Sequence, residues 1–408
     1  MTIFKGSLII FAMRILGMLS LVATYGYYSH IDTVENFADF SLILSILVLT
    51  GTVSRFGFDQ LLVRDVQNIE KNKQLNFLFN SLFISFLLTI IVSIATYIFY
   101  HDIMLAGLVV LYSMYSFFPE YYRAIGSSIM YSFMRNLMFN CCLLFSVFIS
   151  LTYSLGNNLS IIFWPTLIVF LTSLVIFVKK IDVKYNLKIN KKIIYSQFIK
   201  AIPIFVFQII IMIQTYGYNL YLKEYGTSAD IARYTVFLQG ILVFSMFSTS
   251  VGMHVAKDIA ISISEGKYSK VKSMYIECCK STVLILSPIF FIVLCSSSFI
   301  INTLFDIDVS NEINYFYLMC TSAFIGAIAG PKYTVVNLLG YESYLLKVSL
   351  LCQIFTLVGM IVFAQYENKL FIISSLYCAF TLVNTLLCLA KIIKVLRDNE
   401  RTNIKETR

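Results

Sequence analysis

The sequence predicts an all-α integral membrane protein of about twelve transmembrane helices. Three observations carry this: 59% apolar against 13% charged residues, a mean hydropathy of +0.81, and apolar runs of spanning length recurring along all 408 residues. A helix crossing the hydrocarbon core needs roughly 20 mostly apolar residues. Because lipid offers the backbone no hydrogen-bonding partner, each such run reads as a helix.

The first run, Gly6 to Tyr28, is read as a helix rather than a cleaved signal, since no small-residue cleavage site follows it before the next span. Five more spans are expected near 37–54, 77–99, 103–119, 136–153 and 160–178. A second set is expected near 201–222, 229–252, 281–304, 315–336, 345–364 and 370–390.

Lys and Arg placement orients the chain, because cytoplasmic loops retain basic residues that short translocated loops lack. With the N-terminus inside, 26 of the 31 basic residues fall in inner segments, and only Lys223 and Lys369 fall in outer ones. Both termini are therefore expected in the cytoplasm. The same distribution explains the net charge of +9 without a nucleic-acid partner.

The chain also reads as two halves, with a six-helix N-terminal bundle at 1–178, a basic cytoplasmic linker at 179–200, a C-terminal bundle at 201–390 and a basic tail at 391–408. Thr24-Tyr25-Gly26-Tyr27 in the first span recurs as Thr215-Tyr216-Gly217-Tyr218 in the seventh. A looser echo pairs Arg64-Asp65-Val66 with Lys257-Asp258-Ile259. Six spans per half make the repeats parallel, related by a pseudo-twofold axis along the membrane normal. No loop is long enough to hold donor and acceptor for a membrane polymerase or ligase, which argues for transport over enzymatic chemistry.

The run Ser54-Arg55-Phe56-Gly57-Phe58-Asp59-Gln60-Leu61-Leu62-Val63-Arg64-Asp65 resembles the cytoplasmic signature of bacterial O-antigen and polysaccharide flippases. Ile202-Pro203, the stretch from Tyr221 to Gln239, and Gly340-Tyr341-Glu342 share that resemblance, which extends over essentially the whole chain. It implies the fold of the multidrug, oligosaccharidyl-lipid and polysaccharide exporter superfamily, two six-helix bundles around a central cavity. It further implies a multi-pass protein of the bacterial cytoplasmic (inner) membrane that carries a polyprenyl-diphosphate-linked oligosaccharide to the outer leaflet by alternating access. A polysaccharide polymerase and chain-length proteins would be its partners alongside membrane lipids. The chain departs from the resemblance in the seventh span, where Gln214 and Tyr216 stand at positions that relatives often fill with a charge. The rival reading within the same fold is an exporter of small amphipathic or cationic compounds.

Candidate site residues follow from the cost of burying charge in a bilayer, about 3 kcal/mol or more at mid-membrane. Arg14 is the deepest charge, and Gly17, Leu21, Tyr25 and Tyr28 share its helix face. That face suits a diphosphate and sugars, since guanidinium binds phosphate bidentately. Alternatively Arg14 pairs with a structural acid or snorkels inward. Arg55 and Arg233 are cavity residues or interfacial anchors. Lys332 follows Gly326-Ala327-Ile328-Ala329-Gly330-Pro331, where a GxxxG and a proline predict close packing and a kink; it contacts ligand or snorkels. No cofactor is expected beyond proton or sodium coupling, for which Asp39 is the candidate. The isolated His30, His101 and His254, and nine cysteines without a CxxC, build no metal site. Asp306-Ile307-Asp308 and the sequon at Asn158 read as solvated loop and loop edge, and Trp164 with the span-end tyrosines as an interfacial belt.

Overall fold

A computed structural model describes residues 2–66, 71–153, 157–180 and 191–406. The heart of the expected linker, 181–190, lies outside these. Among the described residues the chain is helical, without strands, and eleven helices are long and apolar enough to cross a membrane. The first helix, α1 (Thr2–Ile31), precedes them. Spans two to six comprise α2 (Val34–Arg55), with its short continuation α3 (Phe58–Asp65), then α4 (Lys71–Tyr100), α5 (Ile103–Ala124), α6 and α7 (Ser128–Ser132, Phe139–Thr152) and α8 (Asn158–Lys180). The seventh is α9 with α10 (Lys191–Met212, Tyr218–Tyr225). The remainder are α11 (Ser228–Ser264), α12 (Tyr268–Phe305), α13 with α14 (Ile313–Ile328, Lys332–Leu338), α15 (Glu342–Val362) and α16 (Lys369–Glu406).

Several helices outrun their apolar cores. The fifth span begins at Ser128, not near 136, and α16 continues to Glu406 through most of the expected tail. Hydropathy marks where lipid begins, whereas helical hydrogen bonding continues into water; the two boundaries need not coincide. Large side chains such as Phe99, Leu284 and Phe299 remain exposed, as lipid-facing groups must. Buried hydroxyls bond back to the carbonyl four residues earlier, as Ser41 to Phe37 (2.9 Å), Ser45 to Ser41 (2.8 Å) and Thr89 to Ser85 (2.7 Å). Such bonds satisfy polar groups without a partner helix.

The chain divides into two compact units, one of residues 1–232 with 304–306, the other of 233–303 with 307–408. The seventh span, expected to open the second half, packs within the first unit. Its N-terminal part is held by aromatic stacking of Phe56 on Phe198 and Phe205, with centroids 4.7 and 4.3 Å apart. Farther along, Asn219 donates to the Ser45 hydroxyl at 2.8 Å.

Two spans carry a π-helical turn, Phe133–Met138 between α6 and α7 and Ile213–Gly217 between α9 and α10. Each inserts an extra residue per turn and re-aims the side chains beside it, a feature frequent at functional sites. The second turn contains Gln214 with Thr215, Tyr216 and Gly217 of the repeated tetrapeptide.

Candidate functional site

In the first unit the flippase-like run Ser54 to Asp65 folds into a reversal. Phe56 and Gly57 both adopt left-handed backbone (φ 46° and 76°), ending α2. Gly57 is needed there twice over, because a Cβ would sit 2.9 Å from the Ala201 carbonyl oxygen as well as in a conformation that side chains disfavour. The reversal turns Asp59 back under α2, where its carboxylate lies 3.6 Å from Arg55 and accepts from the Gln208 amide at 3.3 Å. The Arg55 guanidinium is otherwise spent on its own helix, donating to Gly51 O (3.1 Å) and Thr52 Oγ1 (3.3 Å).

A second ion pair lies beside the first. Arg123 meets buried Glu120 at 3.0 Å, donates to Gln60 Oε1 at 3.0 Å, and lies over the Tyr131 ring at 5.6 Å. Arg14 is buried (8% exposed) within electrostatic reach of Tyr131 and Arg123. Its helix is seated by close contact, for Asn140 donates to the Gly17 carbonyl at 2.9 Å and a Cβ on Gly17 would stand 2.1 Å from the Asn136 carbonyl oxygen.

The π-helical turn Phe133–Met138 brings Arg135, half-buried, into this neighbourhood. Its electrostatic neighbours are Tyr112, Tyr115, Tyr131 and Glu120. Among the described residues no carboxylate lies within ion-pair distance of it. Tyr216 has Tyr112 and Arg135 as electrostatic neighbours, and Tyr25 has Tyr216 and Tyr112. The equivalent tyrosines of the two repeated tetrapeptides therefore lie near one another and near Tyr112. Gln214 is buried in the same turn. The site is thus four guanidiniums (Arg14, Arg55, Arg123, Arg135), two carboxylates and a group of phenols.

Arg123, Arg135 and Glu120 fall between the spans expected at 103–119 and 136–153, and Asp59 enters the sequence analysis only as part of the flippase-like run. The available signal was the i, i+4 spacing of Arg55 and Asp59 and the i, i+3 spacing of Glu120 and Arg123.

Tyr28 is set apart from this cluster. Fully buried, it stacks on Phe40 (4.6 Å) and its hydroxyl donates to the Asn158 side chain, whose amide donates in turn to Asn36 O at 2.9 Å. These residues border a cavity of about 750 Å³ at the opposite end of the first unit. Asp32, Asp39, Asp102 and Lys223 also line it, above a floor that includes Leu42, Ile46 and Leu105. Asp39 is exposed there.

The second unit holds the other two candidates far apart in sequence and in contacts. Arg233 pairs with Glu312 at 3.0 Å and donates to Asp308 O at 3.2 Å, next to a carboxyl that two Ser310 hydrogen bonds hold below the usual carboxylate range. Lys332 begins α14 just past the predicted proline irregularity, which is a full break between Ile328 and Lys332. It is 6% exposed, and its ammonium donates to Gly326 O at 2.6 Å. Among the described residues no group of three or more His, Cys, Asp or Glu could hold a metal ion.

No family model and no curated protein matches the chain. Solved structures do. An inward-facing multidrug resistance MATE family transporter of the MOP superfamily superposes with a TM-score of 0.70 at 11% identity, over 97% of this chain and 99% of that one. The lipid II flippase MurJ, in an inward closed conformation, gives 0.67 at 15% identity, over 97% and 90%. A MOP superfamily transporter from Pyrococcus furiosus, described as having a binding pocket of reverse polarity, gives 0.64 at 12%, over 97% and 96%. The chain is a multi-pass membrane protein with the fold shared by these MOP superfamily transporters.

Proposed function

We propose that the chain is a flippase that carries a polyprenyl-diphosphate-linked oligosaccharide, an O-antigen or capsule repeat unit, from the cytoplasmic to the outer leaflet of a bacterial cytoplasmic membrane. Both termini lie in the cytoplasm, and transport proceeds by alternating access. The supporting observation is the first unit's surplus of guanidinium, in particular Arg135, which has only phenols and the already paired Glu120 as electrostatic neighbours. A cation carried into a protein interior without its own carboxylate is costly unless function requires it. A diphosphate offers oxygens to the planar fork of arginine, and phenols complement sugar hydroxyls. The likeness in fold to a lipid II flippase supports the substrate class. A polymerase and chain-length proteins would act on the delivered glycan.

The exporter reading is favoured by one feature, the acid-rimmed cavity of Asp32, Asp39 and Asp102 with its apolar floor, which complements an amphipathic cation. It also keeps Asp39 as the coupling candidate for protons or sodium. Proteoliposomes separate the two. The flippase reading expects the purified chain to expose a fluorescent undecaprenyl-diphosphate oligosaccharide to an external quencher, Arg135→Lys to retain part of the rate and Arg135→Gln almost none. Arg14→Ala, made and folded at normal levels, is expected to export little glycan as well. Transport of ethidium but not of the lipid-linked glycan, or a wild-type rate in Arg135→Gln, would reverse the assignment.

A further inference from the structure

The break in the tenth span frees the carbonyls that end α13, and their partners can be followed one by one. Ala329 N–H covers Ile325 O and Gly330 N–H covers Ala327 O, at 3.3 and 2.9 Å. Beyond them, Tyr275 Oη donates to Ala329 O at 2.5 Å and Ser248 Oγ to Gly330 O at 3.1 Å. Gly326 O alone among these receives a charge, the Lys332 ammonium.

The ammonium sits in a small polar recess made possible by Gly326. A Cβ there would lie 3.7 Å from both Lys332 Nζ and Thr385 Oγ1, and 3.1 Å from Thr381 Cγ2. Thr385 is buried and its hydroxyl has no partner among the described residues. No carboxylate lies within ion-pair distance of Lys332 among the described residues either; the other charge-sensitive groups near it are the Tyr333 ring (4.9 Å), Cys279 and Cys388.

The negative end of a broken transmembrane helix, together with side-chain hydroxyls, is the oxygen set that transporters use to bind a monovalent metal cation. Here the chain fills that place with its own nitrogen. We propose that Lys332 is a tethered cation: its ammonium stands where a sodium ion would otherwise bind, and a chain lacking this side chain takes up sodium at Gly326 O and Thr385. With the lysine present, a second positive charge at the same oxygens would be repelled by about 4 kcal/mol at 4 Å and an effective dielectric near 20, so the native unit excludes the metal. The inference stands on the contacts of the second unit and is independent of the substrate proposed above.

The test uses the full chain in detergent and needs no transported substrate. Thermal midpoint and retention of radiolabelled sodium are measured in sodium chloride and in choline chloride, for wild type, Lys332→Ala, Lys332→Arg and Lys332→Ala/Thr385→Val. Wild type and Lys332→Arg are expected to ignore the exchange of salts. Lys332→Ala should lose stability in choline, regain several degrees in sodium and retain about tenfold more label than wild type, a difference of roughly one and a half kcal/mol in binding. Thr385→Val in that background should abolish the gain. If Lys332→Ala survives purification only in sodium, that is the expected result in its extreme form. Equal sodium retention by wild type and Lys332→Ala, a folded Lys332→Ala indifferent to sodium, or loss of Lys332→Ala in both salts would each overturn the proposal.

Discussion

Glu120→Gln isolates one charge of the buried network in the first unit. The carboxylate lies 3.0 Å from the Arg123 guanidinium, with side chains 4% and 26% exposed respectively. At an effective dielectric near 20 that separation corresponds to about 5.5 kcal/mol of attraction. Glutamine still accepts one hydrogen bond, and Arg123 retains Gln60 Oε1 and the Tyr131 ring. The expected net loss therefore falls at the lower end of the range for breaking a buried pair, about 3 kcal/mol. In a chain of this length that lowers the thermal midpoint by about 5 °C. Thermal unfolding in detergent measures it, and adding Arg123→Gln should cost less than the sum of the two single changes, because the second removes a cation the first stranded. An unchanged midpoint in Glu120→Gln, or strictly additive losses, would show that the pair does not hold the unit together.

Three further outcomes follow from geometry. Gly17→Ala places a methyl 2.1 Å from a backbone oxygen and should destabilise by about 3 kcal/mol or prevent accumulation, whereas Gly107→Ala, with open space around it, should be silent in the same thermal assay. Gly57→Ala and Gly126→Ala share the left-handed penalty of about 1–2 kcal/mol, but only Gly57 also meets the Ala201 carbonyl at 2.9 Å, so its midpoint should fall further; equal losses would mean that the close approach is relieved. In a cysteine-free background, cysteines at 157 and 311 should react with an impermeant maleimide from outside, and Lys267→Cys should not. External labelling at 267 would invert the orientation.

Hydropathy alone located the spans, because lipid imposes one requirement on all of them and that requirement is written in every residue. The buried charges were legible only where they stood deep inside an apolar run. Arg14 and Lys332 met that condition. Arg123 and Arg135 did not: Arg123 lies four residues past the fourth span's apolar core, the fifth span begins eight residues before its own, and the π-helical turn that carries Arg135 has no hydropathy signature. The Gly and Pro residues before Lys332 predict a kink, whereas the helix breaks fully there, and nothing in that pattern says that Lys332 would cap the helix it follows. Tyr25 and Tyr216 follow from a repeat and Tyr28 from spacing to Arg14; Tyr216 neighbours Arg135 and Tyr25 neighbours Tyr216, whereas the Tyr28 hydroxyl is engaged by Asn158.

The placement of the seventh span within the first unit also bears on how the protein is made. A ribosome that has finished residue 178 has not yet supplied Phe198 and Phe205 to stack on Phe56, Gln208 to meet Asp59, or Asn219 to meet Ser45. Until roughly forty more residues emerge, the inserted helices keep a polar, unstapled flank. The nascent half-protein is therefore a waiting intermediate, one that membrane chaperones would have to shelter and that a stop codon after residue 178 would leave permanently open.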